Sequence, residues 1–324
     1  MIKGFALHKL FVILLLAVCA PVAAQTWPSR PIRIIVPFPS GGATDATARL
    51  FAQLISPQLG QPIVVENKPG ATGSIGALEV ARAAPDGHTI LYTSSSFALA
   101  PLLYKKGPYD AIADYAQVQI TLSQPVLLVV NQQFPPKNVS ELISYAKANS
   151  NVNYGSNGPG GVSHLATAEF TSRYGLQMTH VTYKGGAPAL VDLIAGQIQL
   201  IFSNTGEILP YIQGNRVRPL AILWPRRSTL LPDVPTVTEA LQQEYGEIGI
   251  WHGVLLPKGT PKEIVARLHA EVNKVVQNPD VRQKLIAQGN VMVGGSPEDF
   301  TAYLKAEMAR WSKVVKALDL TPLD

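Results

Sequence analysis

Ile34-Ile35-Val36-Pro37-Phe38-Pro39-Ser40-Gly41-Gly42-Ala43-Thr44-Asp45 decides the fold of this chain. An apolar strand runs into a glycine loop, and the loop opens directly into a helix carrying Ala48, Leu50, Phe51, Leu54 and Ile55. Ser40-Gly41-Gly42 puts small residues where backbone N–H groups converge with no side chains in the way. The amino end of the helix behind them adds a partial positive charge of about half a unit. Such a joint seats an anion. The plainer alternative is a tight connection that needs glycine only for its dihedrals.

A second loop of the same kind tilts the balance. Tyr154-Gly155-Ser156-Asn157-Gly158-Pro159-Gly160-Gly161-Val162-Ser163-His164 again follows a strand and precedes a helix, Leu165 to Tyr174. Neither loop has the G-x-G-x-x-G spacing with an acidic residue about 20 positions on that a dinucleotide fold requires. The lysine and hydroxyl of a P-loop are missing as well. The loops suit a carboxylate, with Ser40, Ser156 and Ser163 as hydroxyl donors, and two of them at strand ends in different lobes would face one cleft. A third turn, Tyr183-Lys184-Gly185-Gly186-Ala187-Pro188, offers Lys184 either as a charge partner or as a solvated loop residue. Asp192, in the helix that follows, reads as structural.

Outward from these loops, short β-branched runs alternate with amphipathic segments, which is the pattern of an α/β architecture with largely parallel sheets. The strand candidates are Ile32–Val36, Ile63–Glu66, Thr89–Thr93, Val126–Asn131, Val152–Tyr154, Thr179–Thr182, Leu200–Phe202, Val217–Leu223 and Gly249–Leu255. Asn138-Val139-Ser140-Glu141 and Thr260-Pro261-Lys262-Glu263 fit the capping box, and Ser296-Pro297-Glu298-Asp299 starts the last helix in the same manner. That helix carries Phe300, Leu304, Met308, Trp311, Val315 and Leu318 as a buried stripe. Extended crossings near Ser123–Val126 and Leu223–Pro225 divide the chain into a discontinuous first lobe, 25–124 with 224–324, and a second lobe, 125–223.

Composition narrows the function. Residues 1–24 read as a cleaved secretory signal, with Lys3 and Lys9 before an apolar core from Leu10 to Ala20 and small residues at Val22-Ala23-Ala24. Cys19 is the single cysteine, and Val18 is too bulky for a lipoprotein box. The mature chain, from Gln25, is then expected to lack thiols, disulfides and cysteine nucleophiles. Its length suits two lobes. Removing two lysines from the formal +5 leaves +3, with no clustered basic stripe of the kind nucleic acid requires.

Enzyme readings find little support. A secreted hydrolase would use Ser156 or Ser163 with His164, and Asp45 would complete a triad. No G-x-S-x-G elbow is present, however, and no H-x-x-x-H or H-E-x-x-H spacing marks a metal site. His164 reads as a loop-ordering hydrogen-bond partner. Asp45 reads as a helix cap or loop brace, because a bare carboxylate aimed at an anion would repel it. His252 sits in an apolar strand after Trp251, and Arg226-Arg227 read as a solvated pair or a gate.

These residues together resemble the substrate-binding proteins of tripartite tricarboxylate transporters, the Bug family of periplasmic receptors. The resemblance runs through essentially the whole mature chain. It covers Trp27-Pro28-Ser29-Arg30-Pro31-Ile32-Arg33, the loop Pro37 to Asp45, Val65-Glu66-Asn67-Lys68-Pro69-Gly70-Ala71 and Ala84-Pro85-Asp86-Gly87-His88-Thr89. It continues through Tyr183 to Leu190 and Leu231-Pro232-Asp233-Val234-Pro235-Thr236.

The resemblance implies an α/β, two-lobed type II periplasmic-binding-protein fold with a hinge and an interlobe ligand cleft. It implies a monomer that hands a small carboxylate to the membrane subunits of a transporter, without cofactor, metal or catalysis; a receptor feeding a signalling partner is the alternative. Phe38, Ser40, Gly41, Gly42, Ala43, Thr44 and Asp45 on one side, and Ser156, Asn157, Gly158, Gly161, Ser163 and His164 on the other, are expected to pinch one carboxylate. The distal end of the ligand is left to Ser95, Lys184, Ser203 and Asn204. Amino-acid-binding members carry an aspartate after the strand that here ends Leu200-Ile201-Phe202. Ser203 in its place disfavours a ligand ammonium and favours a dicarboxylate, an aromatic one such as phthalate or terephthalate among them. Phe38, Phe97, Tyr183 and Trp251 are candidates to flank a ring or to be core.

Overall fold

The computed structural model describes residues 27–317 except Pro159; residues 1–24, expected above to be a secretory signal, with Cys19 among them, and Leu318 lie outside the described residues. The elements run β1 (Ile32–Val36), α1 (Ala43–Leu59), β2 (Ile63–Asn67), α2 (Ser74–Ala81), β3 (Thr89–Ser94), α3 (Ser96–Leu103) and β4 (Tyr115–Asn131). Next come α4 (Val139–Ala148), β5 (Asn153–Ser156), α5 (Val162–Tyr174), β6 (Thr179–Thr182), α6 (Gly186–Ala195), β7 (Leu200–Asn204), α7 (Thr205–Gln213), β8 (Val217–Ile222) and α8 (Val237–Leu241). β9 (Gly249–Pro257), α9 (Lys262–Gln277), α10 (Pro279–Ala287), β10 (Val291–Gly294) and α11 (Pro297–Ala317) complete the chain.

β4 is the spine of the molecule. Its first part, Tyr115 to Pro125, pairs antiparallel with β9 and, at the far edge, with β10. Its second part, Val126 to Asn131, pairs antiparallel with β7 and β8. One strand therefore belongs to two sheets and changes company between Pro125 and Val126. The reading from sequence recognised only the second part. Gln117, Gln119, Thr121 and Ser123 interrupt the apolar pattern, yet all four are buried. β10 was missed because four residues ending in glycine carry almost no strand signal.

Strand direction sets where the loops meet. β1 and β3 are parallel, β3 is antiparallel to β9, and β9 is antiparallel to β4, so β1 and β3 run with β4 towards the crossing. β7 is antiparallel to β4, and β5 and β6 run with β7, so these three run back towards the same level from the other lobe. The carboxyl ends of β1, β3, β5, β6 and β7 thus converge on the crossing, the place where open α/β sheets hold ligands. The registers Ser94↔His252, Leu122↔His252 and Val126↔Asn204 fix that level.

Separate cores support the two halves. Ile32, Ile34, Val36, Phe51, Ile55, Tyr92 and Val272 pack one face of the first sheet, and Phe97, Tyr109, Tyr115, Trp251 and Phe300 pack the other. Leu128, Val130, Leu165, Phe170 and Phe202 form the core on one face of the second sheet, with Leu127, Leu193, Ile201 and Ile208 on the other. The chain after β8 stays with the second sheet: Ile222 N–H donates to Pro235 O at 2.9 Å, and α8 packs on α4. From these pairings we propose that the return crossing lies near Ile248–Gly249 rather than at Leu223–Pro225. α11 then ties the halves together, Arg310 binding Glu169 of α5 through Nε and Nη2 at 3.0 and 2.9 Å.

Helix starts follow their caps in two of three cases. Asn138 Oδ1 accepts from Glu141 N–H at 2.9 Å, and Ser296 and Asp299 cap each other reciprocally. The Thr260 hydroxyl instead donates to Pro257 O at 2.8 Å, and α9 begins after Pro261 without a side-chain cap.

Candidate functional site

The first loop is held from beneath by a buried carboxylate. Asp45 accepts from Gly41 N–H at 2.9 Å, Arg49 Nε at 3.0 Å and Asn67 Nδ2 at 2.9 Å, and Asn67 also donates to Phe38 O at 3.0 Å. Burial alone would raise its pKa, but these donors outweigh that and hold it below the usual carboxylate range. Gly41 takes φ +81°, a value that glycine adopts freely. Asp45 is thus the brace of the loop, while Ser40, Gly41, Gly42 and Ala43 stand exposed at its tip. Thr44 and Thr47, in the first turns of α1, reach His252 Nε2 and Nδ1 at 3.3 and 3.0 Å. Burial pushes the His252 pKa down to about 4, so this imidazole is neutral and anchors α1 to β9.

The second loop is built on two stacked imidazoles. His164 lies on His180 with ring centres 4.1 Å apart, and His180 lies on Tyr154 at 4.8 Å, each pair within 9° of parallel. Gly160 N–H donates to His164 Nδ1 at 3.1 Å, and Ser156 Oγ meets His180 Nε2 at 2.7 Å. Burial, with His180 beside it, lowers the His164 pKa to about 4, and burial lowers that of His180 as well. Ser163 closes the loop by donating to Asn157 Oδ1 at 2.5 Å and accepting from Asn157 N–H at 3.1 Å.

His180 escaped the reading from sequence. A lone histidine in a polar four-residue strand gives no signal, and only the register Tyr154↔His180 places it under the loop. A Cβ at Gly160 would collide with Leu103 of α3, a residue of the same core as Leu128, Leu165 and Phe202.

A pocket at the crossing gathers Ser156, Asn157, Ser163, Ser203 and Asn204 against Ile250. The space they enclose is about 20 Å³, room for about one water, so a ligand enters only if the walls part. Phe38 to Asp45, Ser95, Gly158, Gly161, His164 and Lys184 do not line this pocket. The first loop faces it only through the strand directions described above, and Lys184 is exposed. Ser95 is buried ahead of α3 and offers no side-chain cap.

Phe97 and Trp251, considered above as flanks for an aromatic ligand, are core. Phe97 stacks on Tyr109 and meets Tyr115 edge-on, and Trp251 packs edge-on against Phe300. Tyr183 is tied to Asp192 Oδ2 at 2.7 Å, and Arg227 to Glu239 at 2.9 Å. Among the described residues no cluster of His, Cys, Asp or Glu could hold a metal ion, and no helix is long and apolar enough to cross a membrane.

A two-sheet α/β molecule whose strand ends converge on glycine loops is the architecture of a solute-binding receptor. The chain belongs to the tripartite tricarboxylate transporter receptor family, whose model matches residues 47–320. It is similar to Protein BugT of Bordetella pertussis, 37% identical over 302 residues that cover 92% of each chain. Among solved structures it resembles Rpa4515 of R. palustris with adipate: 36% identity, TM-score 0.79, covering 92% of this chain and all of that one. It also resembles MatC of Rhodopseudomonas palustris with bound malate: 34% identity, TM-score 0.75, covering 89% and 100%. Receptors of this family are periplasmic and non-enzymatic and bind carboxylates, as the reading from sequence expected.

Proposed function

We propose that this receptor captures an aliphatic dicarboxylate and, after loss of residues 1–24, hands it as a monomer to the membrane subunits of a tripartite tricarboxylate-type transporter. The observation that carries the reading is the pair of braced, anion-seating loops at converging strand ends. The backbone N–H groups that the loops' own hydrogen bonds leave over, those of Ser40 and Gly42 to Thr44 in the first loop and of Val162 to His164 opening α5, hold the proximal carboxylate. Ser203 and Asn204 stand at the distal end. The adipate and malate held by two structural neighbours support a dicarboxylate. An aromatic diacid such as phthalate or terephthalate loses support with Phe97 and Trp251 in the core, because Phe38 and Tyr183 are then the rings left to flank it. Among the described residues no carboxylate is hydrogen-bonded to His164 or His180 to orient it, and His164, its Nδ1 taken by Gly160 N–H and its pKa near 4, is a poor general base, which favours a binding role over a hydrolytic one.

Thermal-shift and calorimetric titration against aliphatic and aromatic diacids, citrate and monocarboxylates tests this. Saturable binding of an aliphatic diacid without turnover is expected. Product formation, or a monocarboxylate as the tightest ligand, overturns it. Compaction by small-angle scattering on saturation tests closure of the lobes on the ligand.

A further inference from the structure

The pocket at the crossing has one charged wall. Glu207 stands in the first turn of α7, where Asn204 Oδ1 takes its N–H at 3.0 Å and fixes the backbone. Its side chain, exposed to solvent at the edge of the pocket, lies beside Gly186 at the amino end of α6. Gly186 makes the room, since a Cβ at that position would collide with Glu207 Oε2. Among the described residues nothing gives this carboxylate a hydrogen bond or a cation. Its neighbours in the pocket, Ser156, Asn157, Ser163, Ser203 and Asn204, are all neutral. An unpaired carboxylate accepts hydrogen bonds only, so it attracts a donor and repels a second carboxylate placed beside it.

We propose that Glu207 is a specificity-determining residue that selects, among dicarboxylates, those carrying a hydroxyl or ammonium group on the carbon chain. The proposal rests on the dicarboxylate reading above and deepens it. It also bears on the expectation drawn from Ser203. The strand end lacks an acid, but α7 supplies one to the same pocket four residues later, so a ligand ammonium again has a partner.

The test is calorimetry on wild type, Glu207→Ala and Glu207→Gln with succinate, malate, aspartate and adipate, with melting curves reporting the fold. Wild type should bind malate or aspartate about tenfold more tightly than succinate, the usual worth of one charge-assisted hydrogen bond. In Glu207→Ala that ratio should fall to near one, while the succinate affinity holds or rises. Glu207→Gln, which keeps an acceptor but no charge, should fall between. An unchanged ratio in Glu207→Ala, succinate as the tightest four-carbon ligand, or binding of adipate alone overturns the role of Glu207 and leaves the dicarboxylate reading standing. If none of the four binds wild type, the dicarboxylate reading fails as well.

Discussion

Glu307 of α11 gives a stability prediction whose sign is opposite to that of most carboxylates. Its oxygens accept from Trp251 Nε1 at 2.7 Å and, more weakly, from Trp311 Nε1 at 3.4 Å. Burial pushes its pKa up from 4.5 to about 7, against the two indoles and Arg310, with Glu247 adding to the rise. A shift of this size corresponds to about 3 kcal/mol at 1.36 kcal/mol per unit. The side chain is half-buried beside a cavity of about 260 Å³, so water trims the figure to about 2 kcal/mol. Between pH 4.5 and 7 the folded chain holds a proton that the unfolded chain has lost. Stability from this group therefore falls as pH rises through that window, and the whole cost stands above pH 7. Glu307→Gln removes the charge but turns one amide N–H₂ towards an indole donor, at a cost of about 1 kcal/mol at every pH. The variant should be less stable than wild type near pH 4 by that amount and more stable near pH 8 by about 1 kcal/mol. Urea melts followed by tryptophan emission at pH 4, 5, 6, 7 and 8 measure the difference. A gap that stays constant over this range refutes the assignment, because every other titrating group cancels between the two proteins.

Gly161→Val brings a Cβ against Asn157 Oδ1 and must push that side chain off Ser163; Gly41→Val meets open space but a forbidden φ. Each should weaken ligand binding at least tenfold by calorimetry while shifting the melting temperature by only a few degrees, about 1 kcal/mol of strain. Asp45→Asn takes the charge away from Gly41, Arg49 and Asn67 and should cost about 1–3 kcal/mol in urea melts, with looser binding. His164 and His252 have folded pKa values near 4, below the unfolded 6.5. The unfolded chain thus binds the extra protons between pH 4 and 6.5, and stability from these groups is lost as pH falls through that window. His252→Gln should flatten this acid limb, and an unaltered slope in acid titration would count against the burial of the imidazole.

What the sequence disclosed follows from how far apart the cooperating residues lie. The glycine loops were legible because strand, turn and helix succeed one another within a dozen residues, and the chemistry of each joint is written locally. Asp45 was legible as a brace for the same reason: the Gly41 amide it holds is four residues away. The longest strand was half hidden because β4 passes through two sheets, and its buried polar residues Gln119 and Thr121 bond distant partners, Asn273 and Gly295 for the first and Tyr92 and His252 for the second. His180 and Glu207 were hidden for a related reason. Neither belongs to a motif, and each gains its place by lying beside an element that the sheet order alone brings close.

The division has a consequence for how ligand choice is encoded in this chain. In the function proposed above the proximal seat lies in the two glycine loops, each with its own brace, Asp45 with Asn67 under the first and His164 with His180 under the second. The pocket wall at Ser203 and Asn204 is assembled from β7, α6 and α7, with Gly186 left bare so that Glu207 can lie across it. A change at either position alters the shape and charge of that wall without touching either glycine loop. Gly186→Ala makes the point testable. The added methyl must displace the Glu207 carboxylate into the pocket or out of it, while the backbone of α6 keeps an ordinary helical conformation. The preference for chain-substituted over plain diacids should change in this variant by severalfold in either direction, and a binding panel identical to wild type would show that the Glu207 carboxylate does not sit where Gly186 makes room for it.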